Sequence, residues 1–198
     1  MAKIFINYRR DDSAGYAGRL YDRLTAHFGP DHVFMDIDQI EPGEDFVEVI
    51  QEKLKAVQVA VALIGKQWLD ITDAAGQRRL DNPEDWVRLE IEVLLARRIR
   101  VIPVLVGGAA LPKSTQLPEC LVPLTRRQAI EITDHRFHAD ADKLIKALEK
   151  IMGAPPPKQS EPPEKTKEAE KPGFSSFLTH VIVGVIFLFV VGSFYMVI

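Results

Sequence analysis

Over residues 1–152, short apolar runs alternate with stretches in which apolar side chains recur every three or four positions. Strand-length runs followed by helix-period segments are the pattern of βαβ units winding into a parallel sheet. Five runs stand out: "KIFINY", "HVFMDID", "VAVALIG", "VIPVLV" and the short "AIEI". The third is almost continuously apolar, as suits a strand covered on both faces. After the first, Ala17, Leu20, Tyr21, Leu24 and Phe28 repeat at helical spacing from about Ser13, with Asp12 or Ser13 as the natural cap. After the second, a turn in "IEPGEDF" leads into a helix marked by Phe46, Val49, Ile50, Leu54 and Val57, and a last helix from about Ala139 to Met152 carries Leu144, Ile145, Leu148 and Ile151. The expected fold is a doubly wound α/β domain, in which ligands bind beyond the carboxyl ends of the strands.

The helix after the third strand carries the most informative anomaly. In "DNPEDWVRLEIEVLLARRIR", Asn82 is the candidate N-cap, Pro83 the first helical residue, and Arg97 and Arg98 close the last turn. At roughly 100° per residue from Trp86, the side chains of Trp86, Val87, Leu89, Ile91, Val93 and Leu94 share one broad arc. Glu90 falls at about 40°, near the middle of that arc. An unpaired carboxylate there costs several kcal/mol, so Glu90 either has a buried partner or faces a cavity.

Composition narrows the class. A 198-residue chain with 46% hydrophobic residues supports one good core, and a net charge of -3 argues against a general nucleic-acid binder. The single cysteine, Cys120, excludes an internal disulfide framework and reads as a packing residue of an intracellular protein. Residues 153–173, "GAPPPKQSEPPEKTKEAEKPG", hold almost no large apolar side chain and read as a disordered linker with a reach of up to about 60 Å. Residues 174–198 contain an apolar run long enough to span a bilayer, preceded by Lys165, Lys167 and Lys171. The positive-inside tendency makes this a single-pass C-terminal anchor with the preceding domain in the cytoplasm.

Taken in order, "KIFINYRRDDS", "FMDIDQIEPGEDF", "VAVALIGKQW", "EDWVRLEIEVLLARR" and "VIPVLV" resemble a bacterial Toll/interleukin-1 receptor (TIR) domain over about Ala2 to Gly153. The resemblance implies a flavodoxin-like, five-stranded parallel sheet in the order 2-1-3-4-5. Some members of this family assemble signalling scaffolds, and others cleave the nicotinamide-ribose bond of NAD with a glutamate four residues after a tryptophan. Glu90 after Trp86 matches that pattern and is the implied catalytic residue. NAD would then be a substrate, with no cofactor required.

Joined to the expected anchor, the resemblance implies a membrane-tethered domain that hydrolyses or cyclises NAD on self-association with other TIR domains, in signalling or in antiphage or stress defence. A non-enzymatic TIR-TIR scaffold is the alternative, and transfer of ribose to another base uses the same pocket. Tyr8, Arg9 and Arg10 follow the first strand, where arginines suit the phosphates of a dinucleotide; Asn7 stands where the family usually has serine. Asp36 and Asp38 end the second strand, where Asp36 is a candidate substrate contact against the commoner role of strand-end aspartates as loop caps. Trp68 and Trp86 could stack on a base or nicotinamide ring, against the commoner role of core aromatics. Ile40, Pro42, Gly43 and Glu44 resemble the family loop that gates the site and mediates self-association. His135, His138, Asp140 and Asp142 look like a polar loop running into a helix cap, not a metal site. Neither a G-x-G-x-x-G nor a P-loop signature occurs.

Overall fold

The computed structural model describes residues 3–35 and 45–153. Asp36, Asp38, Ile40, Pro42, Gly43 and Glu44, together with the expected linker beyond Gly153 and the expected anchor, lie outside the described residues. Among the described residues no helix is long and apolar enough to cross a membrane. The chain divides into two units, Met1–Pro156 and Pro157–Ile198, and the first contains every described residue.

Five parallel strands, β1 (Lys3–Asn7), β2 (Val33–Met35), β3 (Val57–Ile64), β4 (Arg100–Val106) and β5 (Ile130–Ile132), form one sheet in the order β2-β1-β3-β4-β5. The expected order is therefore observed. Because successive side chains of a strand point to opposite faces, each strand feeds two cores. Ile4, Ile6, Val59, Val61, Leu63 and Val104 pack beneath α1 (Arg10–Phe28) and α4 (Phe137–Met152). Phe5, Ala60, Ala62 and Ile64 pack on the other side against α2 (Phe46–Lys53), α3 (Trp86–Ala96) and the 3-10 segment Glu119–Arg126. The strands run toward one edge of the sheet and the helices return toward the other.

Several boundaries differ from the sequence expectation, most because a polar side chain has a better use. Neither Asp12 nor Ser13 caps α1, which begins at Arg10 and is irregular at Ser13. The Asp12 carboxylate instead accepts from the backbone N–H groups of Gly65 (2.9 Å) and Gln67 (2.8 Å). The close approach uses the missing side chain of Gly65, since a Cβ there would press on the Asp12 carboxylate and force it to shift. Asn82 does not cap α3: its side chain accepts from the Glu84 N–H in a local turn, and Asp85 caps the helix by accepting from the Arg88 N–H. Val57 belongs to β3, with the 3-10 turn Leu54–Ala56 ending the preceding helical stretch.

The buried stripe of α3 also turns from the expected arc. Val87, Glu90, Ile91 and Leu94 are buried, whereas Trp86 is 39% exposed. Its centre lies nearer Leu94 than Trp86, so Glu90 sits on the flank of the packed face. The helix ends with the Arg98 N–H bonded to the Leu95 carbonyl and the Ile99 N–H to the Leu94 carbonyl, a Schellman closure. That closure needs a left-handed residue, and exposed Arg98 supplies it at φ 58°.

Arg98→Gly should stabilise the domain by about 0.5 kcal/mol, the relief of a left-handed L-residue less the chain entropy glycine loses on folding. A Tm that is unchanged or lower would contradict this account of the closure. A second expectation concerns Asp140, whose carboxylate accepts from Lys143 (2.9 Å) and from the Thr133 N–H and hydroxyl. The Lys143 ammonium, then the Thr133 backbone bond, hold its pKa down from 3.8 to about 2. A depressed acid contributes stability above its unfolded pKa and loses it as pH falls through the folded value. Denaturation from pH 6 to pH 2 should therefore show wild type ahead of Asp140→Asn at pH 6, the gap closing between about pH 4 and pH 2.

Candidate functional site at the carboxyl edge of the sheet

Strand β1 ends in Asn7, a polar side chain buried to 1% exposure where α3 crosses the carboxyl edge. Its amide nitrogen donates to Glu90 Oε2 at 2.6 Å and to the Val87 carbonyl at 3.3 Å. The amide oxygen is buried without a hydrogen-bond partner among the described residues. Glu90 is itself only 8% exposed. The pair lies beside the point where the strand order reverses between β1 and β3, the usual ligand position of doubly wound sheets. Two arginines of the same helix region reach other groups: Arg88 donates to the Leu80 and Asp81 carbonyls, and Arg97 to the carbonyl of Gln51.

Two residues beyond Asn7, Arg9 turns inward. Its guanidinium meets Asp85 in a two-pronged pair, Nη1 to Oδ2 and Nη2 to Oδ1, both at 2.9 Å, with side-chain exposures of 1% and 2%. Parallel N–H···O bonds are the strongest arrangement open to these groups. Asp85 also takes the Arg79 Nε–H at 3.2 Å, and Arg79 reaches Asp11 at 3.2 Å. The same carboxylate thus neutralises a buried cation and caps the helix that carries Glu90. Exposed pairs such as Arg19–Asp134, with side chains 47% and 72% exposed, contribute about 1 kcal/mol at most.

These positions revise the expected substrate contacts. Arg9 gives both Nη groups to Asp85 and is 1% exposed, so it presents no exposed guanidinium to a phosphate, because a buried cation requires a buried anion. Trp68 is fully buried in the core under α3 and presents no ring face for stacking. Trp86, by contrast, is exposed four residues before Glu90. Tyr8 is half-buried against the α1/α4 core, and Arg10 is exposed at the start of α1. Asp140 and Asp142 engage Lys143 and Arg23, and among the described residues no three His, Cys, Asp or Glu side chains form a group able to hold a metal. Burial, followed by the Glu92 contact, raises the Cys120 thiol above its ordinary pKa, which disfavours a thiolate nucleophile.

Three participants escaped the sequence reading. Asn7 as the Glu90 partner had one available signal, a polar residue closing an otherwise apolar strand. Asp85 as the Arg9 partner had none, since the two are 76 positions apart. The use of Asp12 as a tie to the β3 loop was equally hidden.

A family model described as "TIR domain" matches residues 4–146, and the chain belongs to that family. Among solved structures, the TIR domains of the activated Roq1 resistosome, which directly recognizes the pathogen effector XopQ, align with a TM-score of 0.51 and 13% identity. That alignment covers 74% of this chain and 98% of the Roq1 chain. A metazoan TIR-STING receptor from C. gigas, in complex with 2′,3′-cGAMP, aligns with a TM-score of 0.48 and 21% identity over 73% of this chain and 38% of its own. At such identities the Roq1 likeness establishes the fold alone. No curated protein matches the chain.

Asp85→Ala should destabilise the domain by roughly 3–5 kcal/mol, because it strands the Arg9 charge and uncaps α3. Arg19→Ala should cost less than about 1 kcal/mol. Replacing the whole buried pair, Arg9→Met with Asp85→Leu, should recover most of the loss. Urea unfolding separates these cases; an Asp85→Ala protein within about 1 kcal/mol of wild type would show that Arg9 does not depend on it.

Proposed function

We propose that the domain cleaves the nicotinamide-ribose bond of NAD, with Glu90 as the catalytic carboxylate. The observation that carries the reading is the placement of Glu90: a largely buried acid, oriented by Asn7 at 2.6 Å, beside the ligand-binding edge of a TIR fold. The chemistry suits a single carboxylate. The C1′–N bond breaks with its electron pair passing to the cationic pyridinium nitrogen, so nicotinamide departs neutral and needs no general acid. Positive charge develops on the ribose, and a fixed carboxylate in a poorly hydrated site stabilises it. Water then adds at C1′ and releases a proton, or an internal adenine nitrogen attacks to give the cyclic product.

Asn7 has a positioning part in this scheme. One amide N–H holds the Glu90 carboxylate in one orientation, which limits reorganisation as charge develops, and the amide also ties Asn7 to the Val87 carbonyl of the same helix. Stacking on the leaving ring is assigned to Trp86, 39% exposed four residues before Glu90. Self-association is part of the proposal, supported by the family and by the assembled state of the Roq1 TIR domains. The apolar residues 174–198 would tether the domain to a membrane from its cytoplasmic side.

Glu90→Gln preserves size and one hydrogen-bond acceptor while removing the charge. With NAD, the variant should lose turnover by about 100- to 1,000-fold, the size of effect seen when a preorganised electrostatic group is removed. Its Tm should hold or rise. Product chromatography of wild type and variant, each crowded on vesicles, decides the matter. Turnover at the parent rate in the variant would remove Glu90 from the chemistry, and unfolding would make it a structural acid.

A further inference from the structure

The opposite edge of the sheet has its own charge. At the amino end of β4, Arg100 lines an open cavity of about 490 Å³ together with Arg126, Arg127, Ile102 and Pro123. Arg126 and Arg127 lie just before β5, so the topology brings them to the edge where Arg100 begins β4. Arg98, at the left-handed end of α3, is exposed two residues before Arg100. Among the described residues, none of these four arginine side chains makes a hydrogen bond or ion pair. A chain of net charge -3 therefore gathers unpaired guanidinium groups at one place.

The chain also leaves the domain at this edge. Helix α4 returns from the carboxyl to the amino side, and the Gln58 amide, near the start of β3, donates to the Ile151 carbonyl at 3.4 Å. The last described residue, Gly153, follows two positions later. From there about 20 residues, equally supplied with lysine and glutamate, lead to the apolar run. A linker of that length keeps the edge within a few tens of ångströms of whatever holds residues 174–198.

We propose that this arginine-lined edge docks on the anionic headgroups of the membrane that holds the C-terminal segment. The proposal rests on the tethering reading above for its setting, but the surface itself is tested without the tether. A leaflet rich in anionic lipid attracts cationic side chains within a Debye length, and guanidinium forks pair with phosphate and carboxylate oxygens of headgroups. Docking through the amino edge turns the carboxyl edge, with Glu90 and Asn7, away from the bilayer and leaves it open to solvent. The surface therefore orients the domain as well as holding it.

The unit Met1–Pro156 encloses both hydrophobic cores and serves as the test protein, free of the apolar run. It is sedimented with vesicles of phosphatidylcholine alone and of phosphatidylcholine with 30% phosphatidylserine. Binding should appear only with the anionic lipid and fall as salt is raised. The triple change Arg100→Ala, Arg126→Ala, Arg127→Ala should weaken it about 100-fold, from about fivefold per side chain, and the corresponding triple change to lysine should largely keep it. Circular dichroism checks that each variant is folded. Equal binding to both vesicle types, a change under about threefold in the folded alanine variant, or tighter binding to duplex DNA than to the anionic vesicles would overturn the proposal. Failure of residues 174–198 to insert in membranes, tested separately with the full chain, would remove the tether and leave this result standing.

Discussion

A guanidinium taken out of water at the end of β1 must meet an equally buried carboxylate, and the arrangement of the candidate site follows from meeting that requirement. Arg9 is drawn inward two residues after the strand ends, and Asp85 is the anion that receives it. Because Asp85 is also the N-cap of α3, one carboxylate fixes both where that helix begins and how it is rotated over the sheet edge. Rotation decides which side chains are covered, and it leaves Glu90 on the flank beside Asn7 while Trp86 stays partly exposed. A misplacement of α3 by one residue would turn Glu90 by about 100° and remove it from the edge.

The two edges of the sheet differ in kind. At the carboxyl edge, charges are paired and partly dehydrated: Arg9 with Asp85, Arg79 with Asp85 and Asp11, and Asp12 on the backbone of the β3 loop. Such a network favours one geometry, which suits the proposed chemistry, in which a preset field sets the rate. At the amino edge Arg100 and Arg126 are exposed, Arg127 is partly so, and none is paired among the described residues, an arrangement suited to long-range attraction in which charge matters more than position. The sheet separates these two environments by the length of its strands.

Much of the fold was legible along the chain. The alternation of runs and helical periods defines five strands and four helices because sheet and helix faces must be buried with periods of 2 and 3.6. Element ends were less legible, since they turn on competition among nearby polar groups. Asp12, Asn82 and Asp85 all have side chains able to cap a helix, yet only Asp85 does so. Glu90 was found from the sequence because an acid within an apolar arc is an anomaly at any rotation of the helix. Trp68 and Trp86 could not be told apart in this way, being two tryptophans in apolar contexts, one in the core and one exposed.

The sequence by itself determined the class of fold, the strand-helix order, the family resemblance and the identity of the unusual acid. Those properties reside in local periodicity and in spacings along the chain. Only the tertiary structure decided that Arg9 serves Asp85 in place of a ligand, that Asn7 orients Glu90, and that Arg100, Arg126 and Arg127 line one cavity. Each joins residues separated by some 25 to 85 positions, and no local rule assigns a partner at that range. The partners are chosen by which charges share the same dehydrated space once both faces of the sheet are covered.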